Sequence, residues 1–212
     1  MAVDNDALLK LSCYGLCGKV WPPEEDARYG VLGAARYVLA RALERLNLAA
    51  GRERAEAALK HALDAAEVLE PNKDELELAA RLESDAQRHG LQLDAGESQL
   101  TAILVARDSS ELLTGDKRAI RALEGLLDLV NGLDTVAGRV RCLEQAISLV
   151  AQLEGAFQET SVAICSEPDV DKTMSICFSC FSGDAVDRAA ALEALENYIS
   201  SLREKAPRIL AP

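Results

Sequence analysis

Aromatic residues make up only 4% of this 212-residue chain, and it has just two histidines, His61 and His89. A core so short of rings must be filled by Ala and Leu, which abound here and favour helices. Both histidines sit in polar helical surroundings and read as surface residues. No window approaches the roughly 18 uninterrupted apolar residues of a membrane span, which excludes a membrane-spanning role. There is no Gly-x-Ser-x-Gly elbow and no Gly-x₄-Gly-Lys phosphate loop, so two common routes to acyl and phosphoryl transfer are missing. The first residues carry neither a basic start nor an apolar targeting run. The expectation is therefore a cytoplasmic protein with reduced thiols at Cys13, Cys17, Cys142, Cys165, Cys177 and Cys180. Positive charge is also scarce: 23 Lys and Arg face 35 Asp and Glu, a net charge of −12. Phosphate contacts are made by Lys and Arg, so this balance argues against broad, passive nucleic-acid binding. It leaves room for an acidic site beside a local basic rim.

What is present is globular: 49% of residues are apolar and 27% charged. The length suits one good-sized core, or a core with a helical appendage. Ala2-Val3 reads as a short strand running into Asp4-Asn5-Asp6, and Leu8, Leu9, Leu11 and Leu16 then follow at helical spacing. Gly15, Gly18 and Pro22-Pro23 end that helix. Residues 27–48 read as one helix with Leu32, Ala35, Leu39 and Leu43 on its apolar stripe, and 52–69 as another, stopped by Pro71. Asn72 with Glu75 makes a helix start, and that helix ends at His89-Gly90. Residues 91–93 read as extended and lead into a helix to about Arg107. A buried strand is predicted over 111–114, a helix over 117–129 and a last strand over 139–143. Such alternation implies right-handed crossovers and a parallel sheet, hence an α/β, three-layer α/β/α domain over 1–145. Residues 146–212 read as a mostly helical C-terminal extension packed on that domain or on a partner, its last helix, 184–204, being amphipathic. Cys177-x-x-Cys180 lacks the second ligand pair that zinc requires and reads as ordinary buried thiols.

In open parallel sheets, active groups gather beyond the carboxyl ends of the strands. Asp4 follows the first strand, Asp116 follows the strand at 111–114, and Glu97 opens a helix. Three carboxylates on one pocket repel unless protons or a cation offset them. Hard oxygen ligands with room for water suit Mg²⁺ or Mn²⁺.

Val3-Asp4-Asn5-Asp6-Ala7-Leu8-Leu9 resembles the opening motif of PIN domains. Asp94-Ala95-Gly96-Glu97 resembles the Asp-x-Gly-Glu helix start of one PIN-like branch, and Leu112-Leu113-Thr114-Gly115-Asp116 is similar to that family's strand-Thr-x-Asp element. The resemblance implies metal-dependent phosphodiester hydrolysis of RNA, ahead of single-stranded DNA, as in a toxin or defence effector. Asp4, Glu97 and Asp116 would then be the catalytic metal ligands, with Asp6 and Asp94 as further candidates. Lys117, Arg118 and Arg121 would hold substrate phosphates and Thr114 would orient a ligand. A regulatory protein on the C-terminal helix, or a homo-oligomer, fits the same reading. The family's usual early-helix Glu has no aligned counterpart among Glu44, Glu67, Glu70, Glu75, Glu77 and Glu83. That departure keeps open a catalytically weak interaction module.

Overall fold

The computed structural model describes residues 1–22, 28–107 and 109–212. Five short strands form one sheet: β1 (Ala2–Val3), β2 (Gly30–Leu32), β3 (Glu67–Leu69), β4 (Leu112–Thr114) and β5 (Val140–Cys142). Every pairing is parallel and the spatial order is β3-β2-β1-β4-β5.

The chain winds first to one side of β1 and then to the other. Helices α1 (Asn5–Tyr14), α2 (Cys17–Val20), α3 (Ala35–Glu44) and α4 (Arg52–Ala65) serve the first winding. Helices α5 (Lys73–Arg88), α6 (Ala95–Ala106) and α7 (Lys117–Leu126) serve the second. Right-handed crossovers in opposite directions put the two groups on opposite faces. The strands divide accordingly. Val3, Val31 and Leu113 join the core under α1, α3 and α4, whereas Ala2, Leu32 and Leu112 join the core under α5, α6 and α7. This is a helix-rich, three-layer α/β/α fold.

The C-terminal helices are α8 (Leu143–Gln152), α9 (Phe157–Cys165), α10 (Lys172–Cys177) and α11 (Arg188–Arg203). Residues beyond 145 enter both cores: Met174, Phe178 and Leu195 on one side, Ile199, Leu202 and Ile209 on the other. The chain end then runs alongside β5. Val140 N–H donates to the Ile209 carbonyl at 3.1 Å, and Ala211 N–H to the Val140 carbonyl at 2.7 Å. Part of that sheet edge is thereby paired.

Three expectations need correction. The helix predicted over 27–48 is a strand and then a shorter helix: Gly30–Leu32 is β2, and α3 begins only at Ala35. The predicted start at residue 27 lies outside the described residues, as does Pro23. Likewise the helix predicted over 52–69 stops at Ala65, and Glu67–Leu69 is β3. Both strands are three residues long, and a short apolar run carries no period that distinguishes strand from helix. Residues 91–93, read as extended, take no part in the sheet. They are a loop whose Leu91 and Leu93 pack partly buried against the α5–α6 side.

Sulfur brings a fourth correction. Cys13, Cys17, Cys142 and Cys177 are free and buried, but Cys165 and Cys180 form a disulfide. The end of α9 and the turn after α10 bring their Cα atoms to 4.9 Å, a proximity that sequence spacing does not reveal. Among the described residues no helix is long and apolar enough to cross a membrane.

Candidate functional site

The switch from one winding direction to the other falls between β1 and β4, and Asp4 and Asp116 stand just beyond those two strands. Each caps the helix that follows. Asp4 is the N-cap of α1 and accepts from the Asp6 amide at 3.3 Å; Asp116 caps α7 and accepts from the Arg118 amide at 2.7 Å. A third helix start completes the site. Asp94 and Glu97 cap α6 reciprocally, each accepting the other's backbone N–H at 3.1 Å. Three helix N-termini, each carrying partial positive charge, thus face one cleft.

The cleft measures about 860 Å³ and is lined by Asp4–Asp6, Lys10, Val38, Asp94–Glu97 and Gly115–Arg118. An adjoining hollow of about 380 Å³ shares Asp94, Glu97, Asp116 and Arg118 with it. Thr114 lies beneath, fully buried. Its hydroxyl donates to Asp4 Oδ2 at 3.3 Å and accepts from the Asp116 amide at 3.1 Å, so one side chain ties the two caps together. Gly115 is required by close approach: a Cβ there would overlap the Asp6 carboxylate.

The carboxylates differ in charge state because their surroundings differ. Glu97 is only 4% exposed. Burial, together with the charges of Asp94, Asp4 and Asp116, pushes it up to about 8 against the backbone bond that favours its ionised form. Asp4 is pushed up to about 6, by burial first and then by Asp6. Asp116 goes the other way. Burial would raise it, yet the Arg118 guanidinium, with Nε at 3.1 Å from both carboxylate oxygens and a short contact from Nη2, lowers it.

Two lysines line the same cleft. Lys10 Nζ lies 2.7 Å from Asp6 and 2.8 Å from Asp171; Lys117 Nζ lies 2.7 Å from Glu144. Burial alone would lower both ammonium groups, and the facing carboxylates outweigh it and raise them.

The structure therefore brings Asp4, Asp6, Asp94, Glu97, Asp116, Lys117 and Arg118 to one cleft. Thr114 sits below it rather than in it. Arg121 is exposed on α7 and is not among the lining residues. The six early-helix Glu candidates do not line the main cleft; Glu83 borders the adjoining hollow, and Glu75 is paired with Arg107 at 2.7 Å. The residue that α3 contributes is Val38. As arranged, the described residues hold no group of three or more His, Cys, Asp or Glu side chains poised to grip a metal ion. The contacts give the reason: Arg118 holds Asp116, Lys10 holds Asp6, and Glu97 is turned to its capping amide. The donors nonetheless suit a hard divalent cation in kind, being carboxylate oxygens, two of these groups with pKa values raised first by burial and then by their acidic neighbours.

Sequence reasoning missed Lys10, Asp171 and Glu144. The spacing of Asp6 and Lys10, one helical turn, was a visible signal; nothing local linked either lysine to residues beyond 143.

Compared with family models, curated proteins and solved structures, the chain matches none.

Proposed function

We propose that the protein is a PIN-like, metal-dependent phosphodiesterase acting on RNA, ahead of single-stranded DNA. One observation carries the reading: Asp4 and Asp116 flank the topological switch of a parallel sheet, and buried Glu97 joins them on one cleft. Asp4, Glu97 and Asp116 would hold Mg²⁺ or Mn²⁺, with Asp6 and Asp94 beside them. Such an ion, when bound, lowers the pKa of its water and offsets charge on the phosphodiester.

The chain's own residues then have distinct tasks. Thr114 fixes Asp4 relative to the α7 turn. Arg118, two-thirds exposed, releases Asp116 and turns to a phosphate oxygen. Glu97 must lose its proton to ligate, so metal affinity rises with pH towards its pKa of about 8. Calorimetric titration of Mn²⁺ at pH 8.5 is expected to show binding that Asp116→Asn removes. No binding to the wild type at millimolar metal would refute the proposal.

A second reading, a catalytically weak interaction module that binds a regulatory protein through the C-terminal helix, is favoured by the Arg118–Asp116 pair and by Val38 on the α3 wall. Cleavage of single-stranded RNA with Mn²⁺, abolished by Asp4→Asn, separates the two.

A further inference from the structure

The lysines behind the acidic rim are unusual in how they are held. Lys10 extends from α1 into the cleft, and its ammonium is fixed between Asp6 and Asp171. Asp171 is itself doubly committed. One carboxylate oxygen caps α10, accepting from Thr173 at 2.8 Å and Met174 at 3.1 Å, and the other receives Lys10. Lys117 faces fully buried Glu144 at 2.7 Å, the one ion pair this carboxylate makes among the described residues, and its Nζ lies 5.9 Å from the centre of the Tyr198 ring. Each ammonium is thus gripped from behind by an acid that faces away from solvent.

Stability alone does not account for these pairs. Removing two ions from water costs several kcal/mol each, and apolar side chains of similar volume usually serve a core as well or better. Both lysines line the one cleft. An ammonium has three donors. Asp6 and Asp171 engage two on Lys10 and Glu144 one on Lys117, so among these contacts donors are left on both for an oxyanion.

We propose that Lys10 and Lys117 form a phosphate subsite on the inner wall of the cleft, holding the phosphate adjacent to the one that is cut. Residues beyond 145 build this subsite, through Asp171 and Tyr198. It rests on the phosphodiesterase reading for the identity of that neighbouring phosphate, and it deepens that reading by specifying a substrate with at least two phosphates, a polynucleotide rather than a phosphomonoester. Of the two acids on Lys10, Asp6 is the outer one at 41% exposed against 7% for Asp171, so the Asp6 contact is the one a phosphate would displace.

The test is calorimetric titration of uridine 3′,5′-bisphosphate and uridine 5′-monophosphate into wild type, Lys10→Met, Lys10→Arg and Lys117→Met. Each is run with Mn²⁺ and again in EDTA, with circular dichroism to verify the fold. The wild type is expected to prefer the bisphosphate. Losing one charge-assisted bond should weaken it by about tenfold or more in either Met variant. Lys10→Arg should stay within about threefold of wild type, since charge and donors are retained. Mn²⁺ alone should bind Lys10→Met no more weakly than wild type, because no ligand is lost. Bisphosphate affinity unchanged in natively folded Lys10→Met, or no wild-type binding in either buffer, would overturn the subsite. If the wild type takes no Mn²⁺ yet binds the bisphosphate in EDTA through Lys10, the phosphodiesterase reading fails and the subsite stands.

Discussion

Replacing Glu97 with Gln should make the protein more stable at alkaline pH while removing its metal affinity. The substitution preserves shape, and Gln serves as well as Glu at the third position of a capping box, so the bond to the Asp94 amide survives. What disappears is the ability to ionise. A carboxyl whose pKa rises on folding binds its proton more tightly in the folded state. Its contribution is therefore most favourable below the unfolded value and is lost as pH climbs to the folded one. For Glu97 that window runs from 4.5 to about 8. At about 1.4 kcal/mol per unit the ceiling on the loss is about 5 kcal/mol. The cleft is open to water, and solvent screening reduces this to roughly 2 kcal/mol. Urea unfolding in EDTA at pH 4.5, 7 and 9 should show the wild type and the Glu97→Gln protein to be of nearly equal stability at the acid end. The substituted protein should lead increasingly above it. Mn²⁺ titration of the same samples should show binding lost. A Glu97→Gln protein no more stable than wild type at pH 9 would refute the argument that Glu97 ionises at the expense of the fold.

Arg118→Ala should free Asp116 and tighten Mn²⁺ binding modestly, because an exposed ion pair no longer has to open; calorimetry checks this. Gly115→Ala should displace the Asp6 carboxylate and open its pair with Lys10, at a cost of about 1 kcal/mol or less in urea unfolding. Reducing the Cys165–Cys180 bond, which spans 15 residues, should lower stability by about 3 kcal/mol. Thiol counting on the denatured, unreduced protein should find four free cysteines; six would refute the bond.

The parts legible in the sequence are those whose information is local. The Asn72–Glu75 and Asp94–Glu97 pairs are reciprocal caps completed within four residues, and both occur as structure. The strands β4 and β5 were readable because each sits between a turn signal and a helix start, and β1 because it runs directly into one. The strands β2 and β3 were not. Three residues apiece, fused in sequence to long Ala- and Leu-rich helices, give no period of their own, and pairing with β1 and β3 makes Gly30–Leu32 extended.

The acids of the cleft show the same division. Their type and spacing follow from sequence, since each follows a strand or opens a helix, as an N-cap must. Their protonation does not. Glu97 and Asp116 are both carboxylates at helix starts, yet burial raises one and a neighbouring guanidinium lowers the other. Lys10 and Asp171 are far apart in the chain, and folding brings their side chains to 2.8 Å. Sequence alone thus determined which residues cap, which pack and which carry charge, because those properties belong to a residue and its nearest neighbours. The tertiary structure alone decided which charges meet, how dry they are and which segment beyond residue 145 holds Lys10, because dielectric surroundings and long-range contacts exist only once the layers have closed.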